Sequence, residues 1–570
     1  MTRVIALILS VASTALAGDT AGNTLDRLLE RIVDREKTFL EGIRQRSPII
    51  ETYIQETPES AAADARPGKD HYFLGRLRLG DTLAYESLIE RSDAPPLPKT
   101  GFKLLPLSNP LIHVPGFRGL SSSHAAAKAQ PLIFIPRGFA QMAVIDLHDF
   151  NRQTYTFEYV RREFLGEVRC LVFDVAPVHR GEAGKFVGRI WVEDRDNSIV
   201  RFNGTYVQAV AAKNLVPERY FHFDSWRVNV APGDWAPAQI YVEEDQLPGE
   251  KSGPTPARFK AQTRIWDYAA APTNKLDELT DMLVETDAAV TDQSASKDIS
   301  PLESQRSWER QAEANLLERL EKGGLVAPAG AVDEVLNTVV NNLIVSANLN
   351  VEARCRVLLT TPLETFSVGH TIVISRGLID VLPDEASLAL VLADELSHIA
   401  LGHPTPTQFA FRNQTMLSDS ELLQRFHLRW SPQQLASAGK KTIELMRMSP
   451  YQKTGNAGLF LKSVASRATA WPRLLQANLG NQVADADALN RLAEFAAAAP
   501  ALEEDRLEQI AALPLGSRVK LNPWDNRIVL VKTRPLALLS PREKMPFEVT
   551  PFVLYLTRFQ AAQPLPTGGR

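Results

Sequence analysis

The sequence predicts a multidomain α+β protein: an antiparallel β domain followed by a mainly helical domain with a small edge-stranded sheet. Three observations point there. From Pro131 to Tyr268, short strand-like runs succeed one another across tight turns with no helical pattern between them. After Pro301 the apolar spacing becomes helical, in Trp308 to Leu320 and Val332 to Leu349. A chain of 570 residues is also too long for one hydrophobic core.

Taken in order, residues 1–17 carry Arg3, an apolar run from Val4 to Val11 and a small-residue end at Ala15-Leu16-Ala17. That is the pattern of a cleavable signal peptide, with Gly18 as the first mature residue and a periplasmic or secreted location. The apolar run is shorter than the roughly 18 residues that span a bilayer, and no later stretch reads as a transmembrane segment. Residues 18–95 read as a helical N-terminal region, with patches such as Leu25-Leu28-Leu29-Ile32. The prolines from Pro95 to Pro115 open an irregular stretch that leads into the antiparallel β domain, residues 96–268. Its candidate strands include Gln153 to Arg161, Glu167 to Val178, Lys185 to Asp194, Ser198 to Val207, Phe221 to Val230, Gln239 to Glu243 and Arg258 to Tyr268. The aromatic residues frequent there read as core. Residues 269–301 form the expected linker, where cleavage would release two separately folded halves.

Residues 302–513 make the second domain, and 514–570 a closing hairpin, Arg518 to Val531, with a Pro/Gly-rich tail. Charge is nearly balanced, at 63 basic against 67 acidic residues. Without a basic stripe, nothing suggests a nucleic acid partner. Cys170 and Cys355 lie in separate apolar runs and read as two buried thiols.

The stretch that carries chemistry is D-E-A-S-L-A-L-V-L-A-D-E-L-S-H-I-A-L-G-H, from Asp384 to His403. It reads as a helix capped by Asp384 and buried on most sides. Asp394, Glu395 and His398 interrupt its apolar run, and buried charges are costly unless each finds a partner. Asp394 and His398 stand four apart, so they share one face.

That arrangement resembles H-E-x-x-H, in which two histidines hold zinc and the glutamate activates a bound water, with an aspartate in place of the first histidine. With Phe366 to Asp380 upstream and His398-Ile-Ala-Leu-Gly-His403 downstream, the region from about Ser307 to Ala499 resembles metallopeptidase family 48, the HtpX and CAAX prenyl protease family of gluzincin type. The resemblance implies a zincin fold, one zinc ion and Glu395 as the catalytic base. It further implies His398 and Asp394 as metal ligands and a third ligand from a later helix. Glu444 is the candidate there, although the E-x-x-A-D phrase of the family is absent; Ala484-Asp485-Ala486-Asp487 is the other acidic stretch. His370 is a conceivable stand-in, and His403 reads as structural. The phrase from Phe186 to Tyr206 is similar to the curved sheets of periplasmic lipoprotein-carrier and envelope-stress-sensor domains, which implies a lipid or lipoprotein as a partner of the β domain.

Two functions follow from this reading. One is a degenerate zinc site on a pseudopeptidase that binds envelope polypeptides. The other is an active zinc metalloendopeptidase with an unusual Asp/His ligand set, cleaving extended polypeptide laid along Thr365 to Ile374 as an added strand. No phosphate-binding glycine loop or nucleophile elbow supports another enzyme class.

Overall fold

A computed structural model describes residues 5–57, 68–80, 82–89, 111–113, 132–179, 181–207, 220–245, 259–269, 300–404, 410, 424–453, 456–483, 492–501, 503, 515–533, 537, 539 and 547–559. Helix α1 (Ile5–Arg44) leads into a sheet of ten strands, all antiparallel. Its strands are β1 (Ile49–Glu56), β2 (Lys69–Leu79), β3 (Leu83–Ser87), β6 (Tyr155–Leu165), β7 (Val168–Pro177), β8 (Phe186–Glu193), β9 (Ile199–Tyr206), β10 (Tyr220–Ala231), β11 (Asp234–Asp245) and β12 (Phe259–Trp266). The order is β3-β2-β1-β12-β11-β10-β9-β8-β7-β6. A short pair, β4 (Leu111–His113) and β5 (Leu132–Phe134), stands apart from it. Apolar residues of the inner face, such as Phe186, Ile190, Phe202, Tyr206 and Phe223, pack against α1 and helix α2 (Pro136–Gln141). Period-two alternation makes this possible, since Phe202 and Tyr206 face inward while Arg201 between Trp191 and Trp226 faces outward.

One expectation is corrected here. Among the described residues of the region 18–95, only the first part is helical; residues 49–56, 69–79 and 83–87 are three strands of the sheet. Strand β1 is buried on both faces, Ile50 and Ile54 against the α1 side and Ile49 and Tyr53 against the second domain, so it lacks the apolar/polar alternation of a half-exposed strand. The strands expected from Gln153 onward are all present, and Lys185 to Val207 forms the expected hairpin, turning at Asn197 with φ 59°.

The second part contains helices α3 (Pro301–Lys322) and α4 (Ala331–Ser346), then a sheet of four strands in the order β13-β15-β14-β16. These are β13 (Arg354–Leu358), β14 (Glu364–Val368), β15 (Thr371–Ser375) and β16 (Asn481–Gln482). Helices α5 (Arg376–Val381), α6 (Glu385–Ala400), α7 (Pro432–Met448), α8 (Asn456–Arg467), α9 (Pro472–Leu475) and α10 (Ala493–Ala498) complete it, followed by the expected hairpin of β17 (Val519–Leu521) and β18 (Ile528–Leu530). Cys170 and Cys355 are both free and buried. The expected linker between 270 and 299, all but the last residues (424–426) of the helix expected from Ser418 to Phe426, and the tail from Gln563 lie outside the described residues.

The two parts share a core. Ile49, Tyr53, Tyr72, Leu74 and Trp266 of the large sheet belong to the same buried cluster as Leu358, Ile372 and Leu396. Buried polar contacts cross the same junction. Glu51 accepts from the Thr361 amide (2.6 Å), the Thr361 hydroxyl (2.7 Å) and the Tyr72 hydroxyl (2.7 Å). Asp70 accepts from the amides of Arg473 (2.9 Å) and Leu474 (2.7 Å), at the start of α9. Arg264 pairs with Asp380 at 2.9 Å, and the Trp266 indole donates to Gly324 O at 2.8 Å. Residues 547–559 then run across the outer face of the large sheet. Gln55 exchanges hydrogen bonds with Phe547 O and Val549 N (both 2.8 Å), and Leu556 packs with Trp191, Trp226 and Trp235.

Candidate active site

Helix α6 begins as the sequence predicts, with the Asp384 carboxylate accepting from Ser387 N at 2.8 Å. It ends in a Schellman turn: Gly402 adopts φ +67°, its amide bonds Ile399 O at 3.0 Å, and the His403 amide bonds His398 O at 3.1 Å. That reversal folds His403 back over the last turn, where its Nδ1 lies 2.9 Å from Nδ1 of His398. Burial holds the His403 imidazole below its usual range, which favours the neutral ring. The His398 ring stacks on Trp430, 4.4 Å between centroids and 15° between planes.

Glu395 is 1% exposed and points at β14. Thr365 and Ser367, alternate residues on one face of that strand, donate their hydroxyls to its two oxygens at 2.9 and 3.0 Å. Two longer contacts complete the enclosure, from Asn481 Nδ2 at 3.4 Å and Trp430 Nε1 at 3.5 Å. Burial, and then the neighbouring Asp394 carboxylate, push the Glu395 carboxyl up to about 7 against the opposing pull of these hydrogen bonds. Asp394 turns toward α7, where the Thr442 hydroxyl donates to Oδ1 at 3.0 Å.

The other sequence candidates are placed apart from this group. Glu444 lies on the exposed side of α7, two positions from the inward-facing Thr442, and pairs with Lys441 at 2.8 Å. His370 sits in the turn between β14 and β15, its Nδ1 2.9 Å from Glu352 O. Asp485 and Asp487 lie outside the described residues. The stretch expected as one edge strand, Thr365 to Ile374, is a hairpin. Strand β15 lies inside the sheet, and β14 is itself paired with β16 at Glu364↔Gln482 and Thr365↔Asn481.

Sequence reasoning missed Thr365, Ser367, Thr442, Trp430 and Asn481. The first two were findable, being hydroxyls at alternate positions of an apolar strand that must meet a polar group when buried. Trp430 and Asn481 come from segments remote in sequence and carry no local signal.

The buried helix that bears Asp394, Glu395 and His398 packs against the small mixed sheet. The family model described as Peptidase family M48 matches residues 331–468, so that segment is an M48 peptidase-family domain. Among solved structures, a LolA superfamily protein from Nitrosomonas europaea is similar at 14% identity, with 40% of this chain and 91% of that chain covered and a TM-score of 0.22. No curated protein matches the chain.

The M48 family is in general zinc-dependent, and a catalytic zinc needs three protein ligands and an open position. Among the described residues no three His, Cys, Asp or Glu side chains gather where they could hold a metal ion. Asp394 is turned onto Thr442, and Glu444 is on the far side of its helix. The described donor set does not fit the ion.

Proposed function

We propose that this is an exported metallopeptidase-family protein whose Asp-Glu-x-x-His centre is a structural knot, and that it acts as a pseudopeptidase binding envelope polypeptides. The observation that carries the reading is the enclosure of Glu395 by Thr365, Ser367, Asn481 and Trp430. A general base must reach a water beside the substrate carbonyl, whereas this carboxylate is spent on donors of its own fold. Export rests on the signal-peptide pattern of residues 1–17. Lipid or lipoprotein is the partner class proposed for the β domain.

Metal analysis of the purified chain tests the reading, together with cleavage of unfolded casein with and without chelator. The expected result is well under one zinc per chain and no chelator-sensitive cleavage. Asp394→His restores the two-histidine face, and zinc uptake by that variant alone would locate the lost ligand at Asp394. Stoichiometric zinc in the unmodified protein, with cleavage abolished by Glu395→Gln, would refute the proposal in favour of an active endopeptidase.

A further inference from the structure

Strand β6 ends the ten-stranded sheet, so one of its edges faces no other strand among the described residues. It is 11 residues long, against a mean of about 5–6 for strands in general. A long open edge is a template for pairing with another chain. Two large apolar side chains stand on this one, Tyr159 at 47% exposure and Phe164 at 66%. Among the described residues, no other strand of the sheet carries an exposed large hydrophobic side chain.

Hydrogen-bond phase decides which backbone groups of β6 are open. Val178 N donates to Thr154 O and Asp194 N to Arg169 O, so even-numbered residues of β7 bond toward β6 and odd-numbered ones toward β8. By the β6–β7 register, Thr156 and Glu158 bond β7 before the bulge at Val160, and Arg161 and Glu163 bond it after. Phe157, Tyr159, Arg162 and Phe164 therefore turn their N–H and C=O groups to the open edge. Their side chains share the α1 face: Phe157 packs on its core, the Tyr159 ring meets Phe173 of that core at 5.7 Å, and Arg162 pairs with Leu171, which packs there too.

These four positions are self-complementary. A second copy laid antiparallel, about a two-fold axis between Val160 and Arg161, sets Phe157 opposite Phe164 and Tyr159 opposite Arg162, with open backbone groups facing each other at both pairs. We propose that the chain dimerises through β6 in this register, joining two sheets edge to edge. Such a contact uses the same surface on both copies and closes on itself. Aromatic and cation–π pairs cover the exposed rings. On the outer face Glu158 falls opposite Glu163 of the second copy, a repulsion eased because Glu163 already accepts from Arg161 at 2.7 Å and from Trp191 at 3.1 Å.

One strand pair is small for an interface, so the dimer should dissociate on dilution. Sedimentation velocity of the full chain up to about 0.1 mM tests this, with a rise toward the mass of two chains expected. Phe164→Glu, at an exposed position, should weaken association about tenfold, since it removes both aromatic pairs of the dimer. Glu158→Lys, which sets a cation opposite Glu163, should tighten it about threefold. Disulfide formation reads the register independently of these variants. An equal mixture of Tyr159→Cys and Arg162→Cys proteins should cross-link on mild oxidation, because a hydrogen-bonded pair places its Cα atoms about 5.5 Å apart. Neither variant alone should do so. A single-chain mass at every concentration would overturn the proposal, as would association unchanged by Phe164→Glu or not tightened by Glu158→Lys. Cross-linking of either cysteine variant alone as readily as the mixture would overturn it too.

Discussion

Replacing Arg227 by methionine leaves the Glu36 carboxyl 2% exposed and stripped of both its guanidinium contacts. Breaking such a pair costs about 3–5 kcal/mol. With about 2.1 cal/mol/K of unfolding entropy per residue over 570 residues, that loss lowers the melting midpoint by about 3–4 °C. Thermal melts followed by far-UV circular dichroism are the assay. Pairing Arg227→Met with Glu36→Leu should return stability to within about 1 kcal/mol of the parent, since an apolar pair carries no desolvation cost. An unchanged midpoint in the single variant, or a double variant no better than the single one, would refute the reasoning.

At Glu395, with its carboxyl raised from 4.5 to about 7, the folded state holds the proton more tightly than the unfolded chain, so stability declines between these pH values by up to about 3 kcal/mol. Glu395→Gln should flatten that decline, so the variant gains on the parent between pH 5 and pH 8; a difference independent of pH would count against it. Deleting the chain from Phe547 onward removes Leu556 from the Trp191, Trp226 and Trp235 cluster, along with the Phe547 and Val549 partners of Gln55. Burial of one such leucine is worth about 1.5–3 kcal/mol, so the truncation should lower the midpoint and red-shift tryptophan emission, and an unchanged spectrum would contradict the packing described.

Much of the architecture was legible because its signals are local. The strands from Gln153 onward alternate across one buried and one outer face, and Asp384 and Gly402 punctuate α6 as cap and turn. Strand β1 was misread because the second domain covers the face that would otherwise be polar. In the site, Asp394, Glu395 and His398 were legible from their spacing, but their partners were not. Thr442 comes from the next long helix, while Trp430 and Asn481 stand 35 and 86 positions from Glu395, and only folding places them beside it. Glu444 was chosen by residue type, and helix phase then set it on the far side of α7.

The segment that crosses the large sheet has a bearing on how the molecule is made. Gln55 and its partners at Phe547 and Val549 are 492 and 494 positions apart. A ribosome-bound chain that has not yet released Val549 therefore carries β1 without these bonds and a tryptophan-rich face without Leu556. Loop closure over such a span is slow, and exposed apolar surface in the interval invites aggregation or capture by a chaperone. The first strand of this protein is among the last to be finished.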